Sequence, residues 1–223
     1  ANVDLEYTLA GTRKRLDLFM PSLNLAVEYH GLIWHSTKFK EDPREDYKKH
    51  KLAESLGIRV VHIYEDEWKL RRSVVERTLL SAVGKLPRIF ARSTKLVELS
   101  TSEADTFYEA NHLQGKCMAE VAYGLTHDGE LVACMSFGIA RSNRRNTDKE
   151  VWELERYAAT KTIVGGAGKL LSAFIKSGRA REIVSYSDSR AFSGNMYKAL
   201  GFYLVGESAP EYNYTNGNYR FGR

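Results

Sequence analysis

The sequence predicts a mixed α+β fold in two domains, and three observations carry that prediction. Two β-like runs, Leu16–Met20 and Leu25–Tyr29, are joined by Pro21, Ser22 and Asn24, which is hairpin chemistry. Strands and helices then alternate to about residue 83, and the pattern restarts beyond a Gly84–Arg92 stretch containing Pro87. Apolar residues make up 43% of the 223, enough to build a core, which excludes global disorder.

The elements follow in order. Asp4 to Leu9 reads as a short helix, followed by Gly11 and the basic cluster Arg13, Lys14 and Arg15. After the hairpin, a polar stretch from Ser36 to Arg44 leads into a helix over Glu45–Leu56, which Gly57 ends as a C-terminal cap. Arg59–Tyr64 is a third strand, and Trp68–Val83 alternates apolar and charged residues at helical spacing. Beyond the boundary come a strand at Lys95–Leu99 and a helix from Ser102 with Glu103 and Asp105 in its first turn. Strands Glu120–Thr126 and Leu131–Phe137 flank the turn His127-Asp128-Gly129. A polar loop, Arg141–Lys149, precedes a strand at Val151–Ala158, a glycine-rich turn and a helix at Lys169–Lys176. A strand at Glu182–Tyr186, a helix around Met196–Leu200 and terminal strands complete the chain. The expected domains are 1–88 and 93–223.

Composition narrows the function classes. No run approaches the ~18 consecutive apolar residues of a membrane span, and no charged-then-apolar signal segment opens the chain. Cys117 and Cys134 are the only cysteines, too few for a disulfide framework or a Cys-rich zinc site. A cytoplasmic protein with no membrane partner is expected. Residues 1–92 carry a net charge of +4 and the remainder +1, so the first half suits a polyanionic partner.

Two constellations carry chemistry. In the first, Glu28 lies 11 residues after Asp17 on the next strand, and His30 shares a strand face with Glu28. Two adjacent carboxylates repel unless a cation sits between them, so Asp17 and Glu28 suggest a Mg²⁺ site. His30 could orient water or act as a base, and His35 could protonate or neutralise a phosphate. Solvent-facing strand charges are the plainer reading, weighed against the strongly apolar surroundings Ala26, Val27, Leu32, Ile33 and Trp34.

Leu16-Asp17 … Glu28-Tyr29-His30 resembles the PD-(D/E)XK nuclease signature, with His in place of the usual Lys. His30-Gly31-Leu32-Ile33-Trp34-His35 resembles the core of very-short-patch-repair endonucleases, and Gly57 to Trp68 is similar to phage homing-endonuclease relatives of that group. The resemblance spans nearly all of residues 1–85. It implies a restriction-endonuclease-like domain with a central mixed sheet and a phage-encoded, metal-dependent DNA endonuclease. Asp17, Glu28, His30 and His35 would be catalytic, with Mg²⁺ or Mn²⁺ on Asp17 and Glu28. Arg13, Lys14, Arg15, Lys38 and Lys40 would contact double-stranded DNA. Lys38, Lys40, Lys48 or Lys51 would supply the displaced cation, unless His30 replaces it, and a double-strand cut would need a homodimer or two sequential nicks.

The second constellation is Val164-Gly165-Gly166-Ala167-Gly168-Lys169, a strand-to-helix turn whose exposed N–H groups can hold a pyrophosphate. Glycines that merely permit a tight turn are the plainer reading, and no GK[ST] follows as a Walker loop requires. Asn195 to Phe202, ending in Gly201-Phe202, resembles the closing motif of GNAT-type N-acetyltransferases, and Trp152–Thr160 with Ser185–Phe202 resembles Mom-type DNA-modification proteins. The implied domain is a GNAT-like mixed sheet flanked by helices. The implied alternative function is an acyltransferase or DNA-modifying enzyme with a degenerate nuclease-like module. Coenzyme A would then lie on Gly165, Gly166 and Gly168, with Tyr197 a general acid or a packing residue. Glu153, Glu155 and Arg156 read as acid, base or anion-binding groups, or as strand-edge charges.

Overall fold

The computed structural model describes residues 2–33, 42, 44–140, 150–209 and 213–221. The architecture is mixed α+β, and the chain divides into two compact units, Ala1–Val75 with Asp188–Arg223, and Glu76–Ser187.

The first unit is built on four strands, β1 (Asp4–Thr8), β2 (Arg15–Met20), β3 (Leu25–His30) and β4 (Arg59–Tyr64), in the order β1-β2-β3-β4. The first two pairings are antiparallel and β3–β4 is parallel, so the helix α1 (Glu45–Ser55) lies within the connection between β3 and β4. Leu16, Phe19, Ala26 and Val60 of the sheet pack with Ala53 of α1 and with Leu9 and Ile58. Asn24, at φ 45°, closes the single 3₁₀ turn Pro21–Leu23 that joins β2 to β3. Two short helices follow, α2 (Glu65–Leu70) and α3 (Arg72–Ala82); the Tyr64 N–H donates to the Glu67 carboxylate at 3.2 Å, anchoring the start of α2.

The second unit carries a five-stranded sheet. After β5 (Arg88–Phe90) come β6 (Lys95–Leu99), α4 (Thr101–Asn111), β7 (Val121–His127), β8 (Glu130–Ile139), β9 (Val151–Ala159), β10 (Thr162–Val164), α5 (Gly166–Lys176) and β11 (Glu182–Ser185). The large sheet runs β11-β9-β8-β7-β6, antiparallel except for the parallel β9–β11 pair, while β5 and β10 form a separate parallel pair. Phe174 of α5 stacks on Phe137 of β8 at 3.8 Å and tilts against Trp152 of β9. Ala104, Phe107 and Tyr108 of α4 form another core cluster with Ala122, Cys134 and Ala158.

The chain then returns to the first unit with α6 (Asn195–Ala199) and a two-strand hairpin, β12 (Tyr214–Thr215) with β13 (Arg220–Phe221). Charge holds this segment to α2. Arg220 bonds Asp66 at 3.0 Å and Glu67 at 2.8 Å, and Arg190 bonds Glu67 at 2.6 Å and Asp188 at 2.7 Å. The Arg220 guanidinium also lies 3.7 Å over the Tyr64 ring.

Three elements differ from expectation. The helix expected over Asp4–Leu9 is instead strand β1, Asp4–Thr8, because Leu5 pairs with Leu18 across the sheet and Tyr7 packs against Phe19 at 4.3 Å. The helix expected over Trp68–Val83 is broken at Arg71, whose backbone leaves the helical region. The stretch expected as a linker contains β5, recruited by β10. Among the described residues, no helix is long and apolar enough to cross a membrane.

Candidate functional site

The first constellation assembles as a network of internal bonds. The Asp17 N–H donates to the Glu28 carboxylate at 3.3 Å, and the Tyr29 N–H donates to Asp17 Oδ2 at 2.7 Å. The Lys49 ammonium of α1 donates to Glu28 Oε2 at 2.5 Å. Glu28 is 1% exposed; burial raises its carboxyl pKa, and Lys49 opposes that rise. Lys49 is absent from the lysines that the sequence singles out. Its signal was its spacing, one helical turn before the buried Ala53, which puts it on the face of α1 turned to the sheet.

His30 belongs to a different arrangement. Its Nε2 lies 2.7 Å from His62 Nδ1, and His62 Nε2 lies 2.9 Å from His50 Nδ1. Asp46 Oδ2 stands 3.8 Å from His30 Nδ1. Among the expected DNA contacts, Lys14 faces Glu45 at 3.6 Å and Arg15 faces Glu6 at 3.5 Å, while Arg13 is exposed. His35, Lys38 and Lys40 lie outside the described residues.

In the second unit, the pairing of β9 with β11 stops short of the end of β9. The β9–β11 ladder ends at Leu154↔Ser185, yet β9 continues to Ala159. Residues 155–159 therefore have no strand on the β11 side among the described residues. The Ser185 hydroxyl donates to the Leu154 carbonyl at 2.9 Å where the strands diverge. Phe137 pairs with Leu154 and Ser136 with Arg156, so Glu155 is the extra residue of a β-bulge.

Beyond this open edge lies the glycine turn. Gly165, at φ 76°, is the N-cap of α5, a conformation that favours glycine. A Cβ on Gly166 would sit 2.8 Å from Ile163, so the helix approaches the chain before it more closely than any side chain allows. The N–H groups of Gly166, Ala167 and Gly168 occupy the first turn, where a helix has no internal acceptors, and no acidic side chain stands there. Lys169 does not reach over the turn; its ammonium donates to the Ala91 and Thr94 carbonyls at 2.9 and 2.5 Å.

Glu153 sits on β9 between Gly138 and Val184, and is 7% exposed. The Tyr108 hydroxyl lies 2.7 Å from Ser136 Oγ and donates to the Arg156 carbonyl at 3.3 Å. Burial pushes the Cys117 thiol up to about 12 and the Cys134 thiol up to about 11, so neither supplies a thiolate near neutral pH. Tyr197 lies in α6 of the first unit and packs edge-on against Phe202 at 5.6 Å.

Neither a protein-family model nor a curated protein matches the chain. Among solved structures, it is similar to the aminoglycoside N-acetyltransferase AAC(6')-Iy in complex with CoA, at 16% identity over 54% of this chain and 100% of that one, TM-score 0.38. It is also similar to an aminoglycoside acetyltransferase, meta-AAC0020, from an uncultured soil metagenomic sample in complex with sisomicin, at 12% identity over 56% and 97%, TM-score 0.38. A third is the integron cassette protein VCH_CASS6 from the mobile metagenome of V. cholerae, at 9% identity over 56% and 94%, TM-score 0.36. The named enzymes are acetyltransferases.

These findings correct the nuclease reading. The neighbours are transferases rather than phosphodiester hydrolases, and the similarity covers about half the chain. The PD-(D/E)XK family assignment, the Mg²⁺-dependent endonuclease and the homing-endonuclease role are set aside. Mg²⁺ or Mn²⁺ on Asp17 and Glu28 is likewise corrected. The buried charge of Glu28 is met by Lys49, and among the described residues no group of three or more His, Cys, Asp or Glu is placed to hold a metal.

Proposed function

We propose that the second unit is a coenzyme-A-dependent acyltransferase of the GNAT type. The observation that carries this reading is the unpaired end of β9, followed in the chain by β10 and the glycine turn that opens α5. Among the described residues, 155–159 have no paired strand on the β11 side, an edge about 16 Å long at ~3.3 Å per residue, with the Glu155 carbonyl held by the Arg156 guanidinium at 2.8 Å. Backbone groups of Tyr157–Ala159 that face away from β8 can pair with the amides of an extended arm, as an added strand would.

The residues present fit the coenzyme. The first-turn N–H groups of Gly166, Ala167 and Gly168 and the positive end of α5 would hold its pyrophosphate. When bound, coenzyme A supplies an acyl group activated as a thioester. Glu153 is the residue on β9 suited to take a proton from an acceptor amine. It is buried, and its register partner on β8 is Gly138, which has no side chain. With both thiols held protonated, direct transfer to the acceptor is favoured over a cysteinyl intermediate.

The test is thiol release from acetyl-CoA against a panel of primary amines. Amine-dependent release that falls in Glu153→Gln supports the reading, and no release with any acceptor argues against it. Double-stranded DNA, expected from Arg13, Lys14 and Arg15, is carried forward as a proposed partner, tested by retention at rising salt. Cytoplasmic action belongs to the same proposal.

A further inference from the structure

We propose that His50, His62 and His30 form an acid-sensitive latch that holds α1 on the sheet of the first unit. It stands independently of the acyltransferase reading. The three imidazoles form a chain, His30 to His62 to His50, with ring-nitrogen separations of 2.7 and 2.9 Å, and neighbouring ring centroids are 5.0 and 5.1 Å apart. His30 and His62 stand on the paired strands β3 and β4, and His50 stands on α1.

Counting protons shows why such a chain responds to acid. Each ring-to-ring gap holds one hydrogen, because two N–H groups cannot face each other at these distances. The neutral chain fills both gaps and one outer position, with His30 Nδ1–H directed to Asp46 or His50 carrying the outer proton. A first added proton fills the remaining outer position and breaks nothing. A second has no place except a gap, so it must drive two neighbouring rings apart.

The pair that separates is His62–His50. His30 is 1% and His62 6% exposed, both fixed by strand pairing, whereas His50 is half-buried on a helix. The surroundings favour this direction. Around His62 stand Asp46, Lys49 and His50 from α1, His30 from β3 and Arg190 from the returning segment. Around His50 stand Glu54, Lys51 and Glu207, so a protonated His50 that swings outward meets two carboxylates. Tyr64 covers His30 at 4.9 Å and is itself covered by Arg220, so the inner end cannot turn. Burial lowers the pKa of both His62 and His50, which keeps the latch closed at neutral pH.

The test is amide hydrogen exchange of the full chain, corrected for the intrinsic pH dependence, with peptides from α1 compared with peptides from α5. With the first proton in place, opening linked to the second should lower α1 protection about tenfold per pH unit through the acid range, with α5 unchanged. In His50→Gln, which cannot take up the proton, the α1 response should vanish; His62→Gln, whose amide can bridge both neighbours, is the second variant. Unchanged α1 protection between about pH 7.5 and 5, equal loss in α5, or a response that survives in both variants would overturn the latch.

Discussion

Ser185 donates its hydroxyl to the Leu154 carbonyl at 2.9 Å, at the last register pair of the β9–β11 ladder. A side chain thus caps the carbonyl at the point where the two strands separate. This fork is where the stretch of β9 with no paired strand on the β11 side begins, among the described residues. Ser185→Ala should cost about 1 kcal/mol and raise the apparent KM for acetyl-CoA about fivefold with little change in kcat. An unchanged KM would show that the fork does not bound the coenzyme arm.

Glu153 is a buried carboxylate that stands opposite Gly138. Glu153→Gln keeps its volume and removes its basicity. It should lower kcat about 10²–10⁴-fold while leaving acetyl-CoA affinity unchanged by calorimetry. Equal loss of affinity would assign the residue to the fold instead.

The Lys49–Glu28 pair is the most buried ion pair between α1 and the sheet among the described residues. Removing only the cation strands a carboxylate that is 2% exposed along its side chain. Lys49→Met should destabilise the first unit by about 3–5 kcal/mol in chemical denaturation, and Lys49→Met with Glu28→Gln should recover some of the loss.

Stability should also track pH through His62. Its folded pKa is depressed from 6.5 to about 3 by burial, so its contribution is fully present above about pH 6.5 and is lost as pH falls toward 3. The sign follows from the unfolded chain binding the proton first, and the slope for this one group is about 1.4 kcal/mol per pH unit. Denaturation midpoints of the wild type and His62→Gln across that range check it; parallel slopes would contradict it.

Much of the fold was legible because local patterns agreed with it. The turn at Pro21–Asn24, Gly57 after α1 and the His127-Asp128-Gly129 turn each carry their own backbone requirement. Strand β1 was not legible, because its pairing with β2, not its own residues, sets its form. In the first constellation, the adjacency of Asp17 and Glu28 was visible from register alone. The partner of that pair was not, since Lys49 arrives from a helix 21 residues beyond Glu28 and turns the expected cation site into an internal ion pair. His50 and His62 were equally hidden, being single histidines in unrelated elements that only the packing of α1 brings together. In the second unit, the glycine turn was readable, but the open β9 edge depends on where the β11 ladder stops, which no local pattern encodes.

The most direct measurement is a calorimetric titration of acetyl-CoA into the wild-type chain and into Gly168→Asp. Aspartate in the first turn of α5 suits the helix dipole and leaves folding intact, yet it sets a negative charge where the pyrophosphate is proposed to lie. Saturable binding to the wild type that is lost in the variant is expected. Absence of binding to the wild type, or equal binding to both, would rule out a coenzyme site at this turn.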